Sequence, residues 1–500
     1  MLSERLKATV LHDKIVSADE AAGWIQDGMT LGLSGFTRAG DAKEIPLALV
    51  ERVKKENISL KVNVMTGASL GSDIDKLMAE AGIVNKRLPF QAEPAMRKKI
   101  NDGEILFVDQ HLSMTAEYIR DGVFPPIDFA IVEADSITED GLIIPTTSVG
   151  NSSIFIEHAK EVIIELNMKQ PLSLEGVHDI YSVGKHEGRQ PIPIIQGNQR
   201  LGTIGIPVPF EKIRGIVLTD RTDSPSTIAP PDQETKQMAN HLIAFFREEI
   251  KKGRLTNKLA PLQAGIGTIA NAVLGGLIDS EFEELEIYSE VLQDSVFDLL
   301  DSGKALYASA SSITLSAKKL EEVFRNFDRY KDRIILRPQE ISNHPGIIRR
   351  LGIICINTAL EADIYGNVNS THVSGTYMMN GIGGSGDFAR NSKIAVFVTK
   401  STAKGGQISS IVPFVTHVDH TEHDVDVLVT EQGYVDLRGL APRERVYQII
   451  ENCMHPQYRP QMYQYVEEAF GRQGQTPHVL EKAFSWHTNY KKKGTMLLET

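Results

Sequence analysis

The sequence is poor in the features that mark secreted, membrane-spanning and nucleic-acid-binding proteins. It has two cysteines in 500 residues, Cys355 and Cys453, which excludes a disulfide framework and a zinc site made of cysteines alone. No apolar run approaches transmembrane length, which is about 20 residues. The formal net charge is −12 and no basic stripe offsets it, which argues against a nucleic-acid partner.

The first residues also lack the apolar centre of a signal peptide. We therefore expect a protein of the reducing cytoplasm, without a membrane or nucleic-acid partner. Both cysteines stand in apolar or helical contexts, so we interpret them as small core residues.

Short apolar runs alternate with helical patterns along most of the chain. Buried strands are predicted from Ile58 to Val64, around Leu106, around Ile131 and from Val162, with helical stretches between most of them. Strands that alternate with helices predict an α/β fold with a parallel or mixed sheet. The length is too great for one core and suggests about two or three domains.

A stretch with three prolines and no apolar period, residues 221–233, is the candidate linker. A long amphipathic helix is predicted after it, at about 234–252. We therefore predict an N-terminal α/β domain at 1–220 and a C-terminal α/β domain at 234–500, with a helical tail from about Ala441.

The second half of the sequence repeats the plan of the first. The motif Glu-Ala-Asp begins at Glu133 and again at Glu361, an offset of 361 − 133 = 228. The strand predicted at Val162 aligns with one at Ile394, an offset of 394 − 162 = 232. Both segments have the order strand, acidic turn, glycine-bearing loop, helix and strand, which indicates two related α/β units.

Glu290 is the candidate reacting group. An apolar run, Leu285 to Tyr288, predicts a buried strand, and a helical pattern that includes Val291 and Leu292 follows. Open α/β sheets place reacting groups beyond the carboxyl ends of their strands. The alternative is that Glu290 only caps the helix.

Four loops rich in glycine are candidate anion sites. The density of glycine from Gly381 to Gly386 favours an anion-binding or oxyanion loop, because glycine is entropically costly to fold. Gly265 and Gly267 precede another helix. Lys404 could meet a phosphate or be a solvated surface lysine, and the Gly35–Gly40 loop could cradle an anion or be a tight turn.

Asn343 and a histidine-rich segment each have two interpretations. Asn343 could cap a helix or donate its amide to a developing oxyanion. The segment with His417, Asp419, His420, Glu422 and His423 resembles a metal site by composition, but its spacing lacks the helical pattern of a zinc motif. We favour a hydrogen-bonded loop and predict no metal.

No serine or cysteine motif of a covalent nucleophile is present, which leaves the carboxylate of Glu290 as the best-placed candidate.

Seven motifs together resemble one family: YSEVLQD, NGIGGSGDF, SNHPGIIRR, EADIYGNVNST, STAKGG, HVDH and VTEQGYVDLRGL. They are similar to the acetyl-CoA hydrolase/transferase family of CoA-transferases, most of all to its succinyl-CoA:acetate and propionyl-CoA:succinate members. The resemblance extends from SGFTRAG near the N-terminus to the segment around Trp486. It implies two CoA-transferase-like α/β domains, with a catalytic glutamate matched by Glu290 in the C-terminal one.

The resemblance also implies the remaining site residues. It places the oxyanion donors at the backbone N–H groups of Ile266 and Gly384 and at the amide of Asn343, a further active-site carboxylate at Glu431, and the acyl pocket beside Gly35, Phe36 and Thr37. It places CoA along Ile266, Gly267, Thr268, Ile269 and Ala270, on Asn380 and Gly384, and near Lys404. CoA is expected as a substrate, with no tightly bound cofactor, and the protein is expected to be a homodimer.

The implied activity is transfer of CoA between a short-chain acyl-CoA and a carboxylic acid such as acetate. The acyl-CoA would be acetyl-, propionyl- or succinyl-CoA, and the intermediate a glutamyl-CoA thioester in a ping-pong reaction. The stretch TDRTDSPS has a single arginine, Arg221, where some members of the family have more, so the class of acid substrate is stated loosely. An acyl-CoA hydrolase on the same scaffold is the alternative; a CoA-sensing module and a metal-dependent hydrolase are more distant ones.

Overall fold

A computed structural model describes residues 2–227 and 229–498. The chain forms two compact units. Unit 1 consists of Met1–Thr227, Ile287–Leu300 and Leu306–Leu351, and unit 2 consists of Ile228–Glu286, Asp301–Ala305 and Gly352–Thr500. Residue 228, within the predicted linker, and the terminal residues 1, 499 and 500 lie outside the described residues.

Unit 1 contains a seven-stranded sheet in which all neighbouring strands are parallel. The strands lie in the order Ile213–Thr219, Glu161–Asn167, Phe129–Ala134, Thr30–Leu33, Val62–Met65, Val84–Leu88 and Leu106–Phe107. A small antiparallel sheet contains Ser136–Ile137, Leu142–Ile144 and Ile206–Pro207. The helices of this part are Leu2–Arg5, Ala18–Gly23, Glu44–Glu56, Ser72–Glu80, Pro94–Asn101, Met114–Arg120 and Ser152–His158.

The helix Glu44–Glu56 shows why these residues form their elements. Pro46 stands in its first turn, where no helical N–H bond is lost. Ile45 and Leu49 are four residues apart and lie buried on one face, and each such aliphatic side chain contributes about 1.5–3 kcal/mol of burial free energy. The helix ends at Asn57, which takes the left-handed conformation that asparagine tolerates.

The segment around Glu290 packs against the N-terminal part of unit 1. Its strands are Leu285–Tyr288, Val291–Leu292, Ala305–Ala310, Ser312–Ile313 and Ile334–Leu336, and its helices are Asp294–Asp301, Ala317–Arg325, Asp328–Lys331, Gln339–Ser342 and Pro345–Leu351. The backbone N–H of Ile313 donates to the carbonyl oxygen of Thr147 at 2.8 Å, and that of Val149 donates to Ser311 at 2.9 Å. Main-chain hydrogen bonds therefore join two parts of the sequence that are far apart.

Unit 2 has five neighbouring strands, four parallel and the last antiparallel. In order they are Leu262–Ala264, Ile354–Thr358, Ile394–Val398, Val427–Val429 and Tyr434–Asp436. Shorter strands are Glu361–Asp363, Val368–Asn369, His372–Val373, Tyr377–Met378, Thr402–Ala403, Ile408–Ser409 and Ile411–Val412. The helices are Gln233–Lys251, Thr268–Gly275, Ser385–Asn391, Pro442–Cys453, Arg459–Phe470 and Ser485–Lys493.

The helices predicted before and after these five strands in the sequence are confirmed. The helix after the linker spans Gln233–Lys251, and the helical tail begins at Pro442. Cys355 and Cys453 are both buried, as interpreted from their apolar contexts. Among residues 2–227 and 229–498, no helix combines the length and the apolar character needed to cross a bilayer.

The predicted duplication of the α/β unit is confirmed. In each unit, two neighbouring parallel strands are connected through short strands and a helix of seven residues. These elements are Phe129–Ala134, Ser152–His158 and Glu161–Asn167 in unit 1, and Ile354–Thr358, Ser385–Asn391 and Ile394–Val398 in unit 2.

The predicted helical role of Val291 and Leu292 is wrong. These residues form a short strand that pairs in parallel with Ser312–Ile313, and the helix begins only at Asp294. Two adjacent apolar residues fit a helix face or a buried strand equally well, and a partner 21 residues further on (312 − 291 = 21) decides between them. Glu290 is therefore not a helix cap, because it lies between two strands.

The compact units do not follow the contiguous domains expected from the sequence. The first segment of unit 1 ends at Thr227, inside the predicted linker at 221–233. Glu290 was assigned to the predicted C-terminal domain, 234–500, yet it packs in unit 1. The predicted boundaries describe the duplicated sequence rather than its packing, and as domain limits they stay a prediction.

A buried ion pair holds the two parts of unit 1 together. The Arg337 guanidinium and the Asp179 carboxylate are in contact, and their side chains are 0% and 1% exposed. Arg337 Nε also donates to Ser309 Oγ at 2.9 Å, and Asp179 Oδ1 accepts from the N–H of Leu201 at 2.9 Å. Each charge is thus compensated by its partner and by further hydrogen bonds, the condition under which a buried pair is tolerated.

We expect Arg337→Met to lower the free energy of unfolding by about 3–5 kcal/mol, because it leaves the Asp179 carboxylate buried without its counter-charge. Urea denaturation followed by circular dichroism measures the loss. The control is Arg325→Met, which breaks an exposed pair with Glu321 one helical turn away and should cost about 0.5 kcal/mol at most. Equal losses in the two variants would contradict this role of the ion pair.

Candidate active site

The main chain of Glu290 is fixed by a turn of unit 1. Its carbonyl oxygen accepts hydrogen bonds from the N–H groups of Ser311 and Ser312, at 3.0 and 3.2 Å. The residue directly follows the strand Leu285–Tyr288 and Ser289, so it stands at the carboxyl end of that strand as predicted. Glu290 as a whole is 7% exposed, so its carboxyl is largely removed from water.

A neutral amide faces this carboxyl. Asn343 Nδ2 donates to Glu290 Oε2 at 3.1 Å. Ser342 Oγ donates to Asn343 Oδ1 at 2.8 Å, which leaves the NH₂ end of the amide directed at the glutamate. Asn343 is the C-cap residue of the one-turn helix Gln339–Ser342 through its backbone N–H, and its side-chain amide donates to the carboxyl of Glu290.

The one-turn helix before Asn343 is anchored by side chains. Gln339 Nε2 donates to the carbonyl oxygen of Leu112 at 3.0 Å. Arg120 Nη2 donates to both carboxyl oxygens of Glu340, at 3.0 and 2.8 Å. Leu112 and Arg120 are more than 200 positions away from this helix, so no local signal in the sequence shows that they support the site.

The charge state of Glu290 is set mainly by burial. Burial raises its pKa to about 7, and the hydrogen bond from Asn343 opposes this rise. No cation pairs with this carboxyl in the part of the chain that the structure describes. The charged form is therefore poorly compensated, and near neutral pH both protonation states are accessible.

The predicted acyl-pocket loop lies in the same unit as Glu290. Gly35 and Thr37 have φ values of 125° and 54°, in the region that favours glycine. The carbonyl oxygen of Thr37 accepts from Thr314 Oγ1 at 2.9 Å. Phe36 is buried and packs in an apolar cluster that includes Val291, the residue after Glu290.

The other residues of this cluster are also apolar: Ala68, Leu112 and the partly buried Phe90. A cluster of this kind offers aliphatic and aromatic surface but no charged group.

The predicted CoA-binding residues lie in unit 2. The segment of Ile266, Gly267, Thr268, Ile269 and Ala270 spans a loop and the start of the helix Thr268–Gly275. Ile266 is 38% exposed, and Gly267 has a φ of 123°. Lys404 is exposed in the turn of the hairpin formed by Thr402–Ala403 and Ile408–Ser409.

The densest glycine loop runs from Asn380 to Gly384, just before the helix Ser385–Asn391. Asn380 Nδ2 donates to the carbonyl oxygens of Ser370 and Gly381, at 3.2 and 2.9 Å. Gly384 is buried and caps the helix. These contacts fix the loop at both ends.

Glu431, the further predicted active-site carboxylate, is fixed by hydrogen bonds in unit 2. Its side chain accepts from the N–H of Ser401 at 2.8 Å, from the Ser401 hydroxyl, and from Gln432 Nε2 at 3.0 Å. Burial acts to raise the pKa of Glu431, but these hydrogen bonds outweigh it and the pKa is lowered. Glu431 is thus held as a carboxylate, unlike Glu290.

The histidine-rich segment forms a hydrogen-bonded loop, as interpreted from its sequence. Asp419 accepts hydrogen bonds from Ser370 and Thr371, and His420 lies 3.1 Å from Ser385 Oγ. His423 is exposed, and its Nε2 lies 3.9 Å from Glu422 Oε1. Among the described residues no group of three or more His, Cys, Asp or Glu side chains is placed to hold a metal ion.

Comparison with known protein families gives two matches. Residues 2–204 match the acetyl-CoA hydrolase/transferase N-terminal domain, and residues 320–466 match the C-terminal domain of the same family. Each half of the duplicated fold thus has its own family match.

Three individual proteins illustrate the similarity. The chain is 50% identical over 494 residues to the succinyl-CoA:acetate CoA-transferase of Clostridium kluyveri, covering 99% of this chain and 92% of that protein. It is 45% identical over 520 residues to the acetyl-CoA hydrolase of Candida glabrata, covering 100% and 98%. The crystal structure of RipA from Yersinia pestis is 20% identical, with a TM-score of 0.71 and coverage of 93% and 98%, and shares the fold.

The raised pKa of Glu290 predicts a pH-dependent gain in stability for Glu290→Gln. The folded state holds this proton up to a pH of about 7, whereas an unfolded glutamate releases it near pH 4.3. The wild-type protein therefore loses stability as pH rises between these values, and the neutral amide avoids this loss. We expect the variant to be more stable at pH 8 by about 3–4 kcal/mol, and the difference to vanish near pH 4.

Urea denaturation at pH 4, 6 and 8 measures the difference. The matched control is Glu283→Gln, at an exposed position of the same region. A Glu290→Gln variant that is less stable than wild type at pH 8, or a difference that does not change with pH, would show that burial does not penalise this carboxylate.

Proposed function

The chain belongs to the acetyl-CoA hydrolase/transferase family, and from this premise we propose that it is a CoA-transferase with Glu290 as its nucleophile. It would move CoA between a short-chain acyl-CoA, such as acetyl-, propionyl- or succinyl-CoA, and a carboxylic acid such as acetate. The observation that carries the proposal is the buried Glu290 carboxyl, which has a neutral amide and no cation as its partner. A carboxylate without a counter-charge is available to attack a carbonyl carbon.

The first half-reaction loads CoA onto the enzyme. The Glu290 carboxylate attacks the thioester carbonyl, the carbon–sulfur bond breaks, and a mixed anhydride and the CoA thiolate form. The thiolate then attacks the glutamyl carbonyl of the anhydride, and the original acyl group leaves as a carboxylate. The product is a glutamyl-CoA thioester, so the thioester bond is conserved without ATP.

The second half-reaction reverses these steps with another acid. The incoming carboxylate attacks the glutamyl thioester and displaces the CoA thiolate, which gives a new anhydride. The thiolate attacks the acyl carbonyl of that anhydride, which releases the new acyl-CoA and regenerates the Glu290 carboxylate. Because the first acid leaves before the second enters, the kinetics are ping-pong.

Each attack creates an oxyanion that needs hydrogen-bond donors. Asn343 Nδ2 lies 3.1 Å from Glu290 Oε2, which supports a role for it as donor to the oxyanion that would form on the glutamyl carbon. One well-aimed donor lowers the barrier by about 2.7–4 kcal/mol. The backbone N–H groups of Ile266 and Gly384 are proposed as further donors on the strength of the family resemblance.

Two observations bear on the acid. The cluster beside the proposed acyl-pocket loop is apolar, which supports a short acyl group. Arg221 Nε donates to Glu44 Oε1 at 3.0 Å, so this arginine is already engaged by a carboxylate of the chain. We therefore propose the class of short carboxylic acids. We also propose a homodimer that uses CoA as substrate and retains no tightly bound cofactor.

The second candidate is an acyl-CoA hydrolase, in which water replaces the second acid. The similarity to a fungal protein named acetyl-CoA hydrolase favours it. Measuring thiol release from acetyl-CoA separates the two functions. A transferase releases free CoA only slowly and forms propionyl-CoA when propionate is added. A hydrolase releases free CoA at one rate, whether or not a carboxylic acid is added.

The glutamyl-CoA intermediate predicts a specific chemical trap. Borohydride added after acetyl-CoA should reduce the thioester, inactivate the enzyme and modify the peptide that contains Glu290, as read by mass spectrometry. Glu290→Gln should show neither transfer nor modification, and Glu283→Gln should behave as wild type. Modification at another residue, or full transfer by Glu290→Gln, would reject Glu290 as the nucleophile.

Asn343→Ala tests the amide separately from the nucleophile. We expect kcat to fall by about 10²–10³-fold, the usual effect of removing one oxyanion donor. The midpoint of the pH profile for the first half-reaction should also move to higher pH, because the hydrogen bond from Asn343 acts to lower the pKa of Glu290. An unchanged rate and midpoint would show that the amide does not act on the reacting groups.

A further inference from the structure

We propose that Asp419 and His420 are positioning residues that fix the glycine-rich loop from Asn380 to Gly384, one from each end. The inference rests on the proposed function, because that function assigns this loop to CoA. It gives a role to the histidine-rich segment, whose composition resembles that of a metal site.

Asp419 accepts hydrogen bonds from the Ser370–Thr371 turn, which contacts the beginning of the loop. Its side chain is 4% exposed. Asp419 Oδ2 accepts from the N–H of Ser370 at 2.6 Å, and both of its carboxyl oxygens lie 2.9 Å from Thr371 Oγ1. A buried carboxylate that accepts several hydrogen bonds holds its donors rigidly.

The Ser370–Thr371 turn in turn holds the beginning of the loop. The carbonyl oxygen of Thr371 accepts from the N–H of Met379 at 2.7 Å. The carbonyl oxygen of Ser370 accepts from Asn380 Nδ2 at 3.2 Å. Asp419 therefore fixes Asn380 through two residues that do not belong to the loop.

His420 holds the other end of the loop. His420 Nε2 lies 3.1 Å from Ser385 Oγ, the side chain that follows Gly384. Ser385 Oγ donates its own proton to the carbonyl oxygen of Ile382 at 2.8 Å. A hydroxyl has one proton, and that of Ser385 is donated to Ile382. In the contact between His420 Nε2 and Ser385 Oγ, the proton is therefore carried and donated by His420.

The imidazole itself is rigidly placed. His420 is 2% exposed, and the centroid of its ring lies 4.7 Å from the ring centroid of Phe397. Its main chain exchanges hydrogen bonds with Val368, at 3.0 Å as donor and 2.8 Å as acceptor. Strands of unit 2 therefore hold both the ring and the backbone of the residue that contacts the loop.

The loop needs such support because of its composition. Gly381, Gly383 and Gly384 lie among its five residues, and glycine has the greatest backbone freedom to lose. A backbone N–H stabilises an oxyanion or a thioester oxygen only when its direction is fixed in advance. A catalytic group that is misplaced by about 1 Å can lower the catalytic rate about 100-fold.

The experiment compares three variants in the full chain: His420→Ala, His420→Gln and His423→Ala. Isothermal titration measures CoA affinity, and steady-state kinetics give kcat and KM for acetyl-CoA. We expect His420→Ala to weaken CoA binding and to lower kcat/KM about 100-fold. His420→Gln should recover most of the loss, because its amide N–H can still donate to Ser385. His423→Ala changes an exposed histidine three positions away and should match wild type.

Rescue by glutamine distinguishes positioning from a general structural role, which would lower the thermal midpoint without changing KM. If His420→Ala does not fold, Ser385→Ala replaces it, because this change removes the hydroxyl next to Gly384 that His420 contacts at 3.1 Å. Wild-type CoA affinity and kcat/KM in the folded variant, or a glutamine variant as impaired as alanine, would overturn the inference. A wild-type protein that neither binds CoA nor transfers it would reject the proposed function instead.

Discussion

The burial of the Glu290 carboxyl against a neutral partner is the constraint on which the rest of the site depends. A cation in place of Asn343 would hold the pKa of Glu290 low and would bind the carboxylate that we propose as the nucleophile. The amide compensates the charge only in part, and the pKa stays near 7. The fold therefore accepts an energetically poor arrangement at one position, as is common where chemistry takes place.

Other buried carboxylates of unit 1 show the contrast. Asp179 is paired with Arg337, and Glu340 is paired with Arg120. Each of these pairs joins segments that are far apart in the sequence, and each has an evident role in holding the unit together. Glu290 is buried without such a pair, and its side chain accepts a hydrogen bond from the amide of Asn343, which is consistent with the nucleophilic role that we propose.

In unit 2 the histidine-rich segment shows how composition and geometry can diverge. Three histidines with two acidic residues resemble a set of metal ligands, but the fold directs them to different neighbours. Asp419 and His420 face the supports of the glycine-rich loop, whereas His423 faces outward. The same chemical groups that could bind an ion are used to restrict a flexible backbone.

Local pattern and motif by themselves determined much of this protein: the strand Leu285–Tyr288, the position of Glu290 just beyond its carboxyl end, the helix after the linker, the duplication and the family. What depends on residues distant in the chain was decided only by the tertiary structure. The apolar pair Val291–Leu292 fits a helix or a strand until Ser312–Ile313 pairs with it. The amide of Asn343 meets Glu290 across 53 positions, a contact that no local preference encodes. Periodicity reports which face of an element is buried, and only packing decides which distant side chain that face meets.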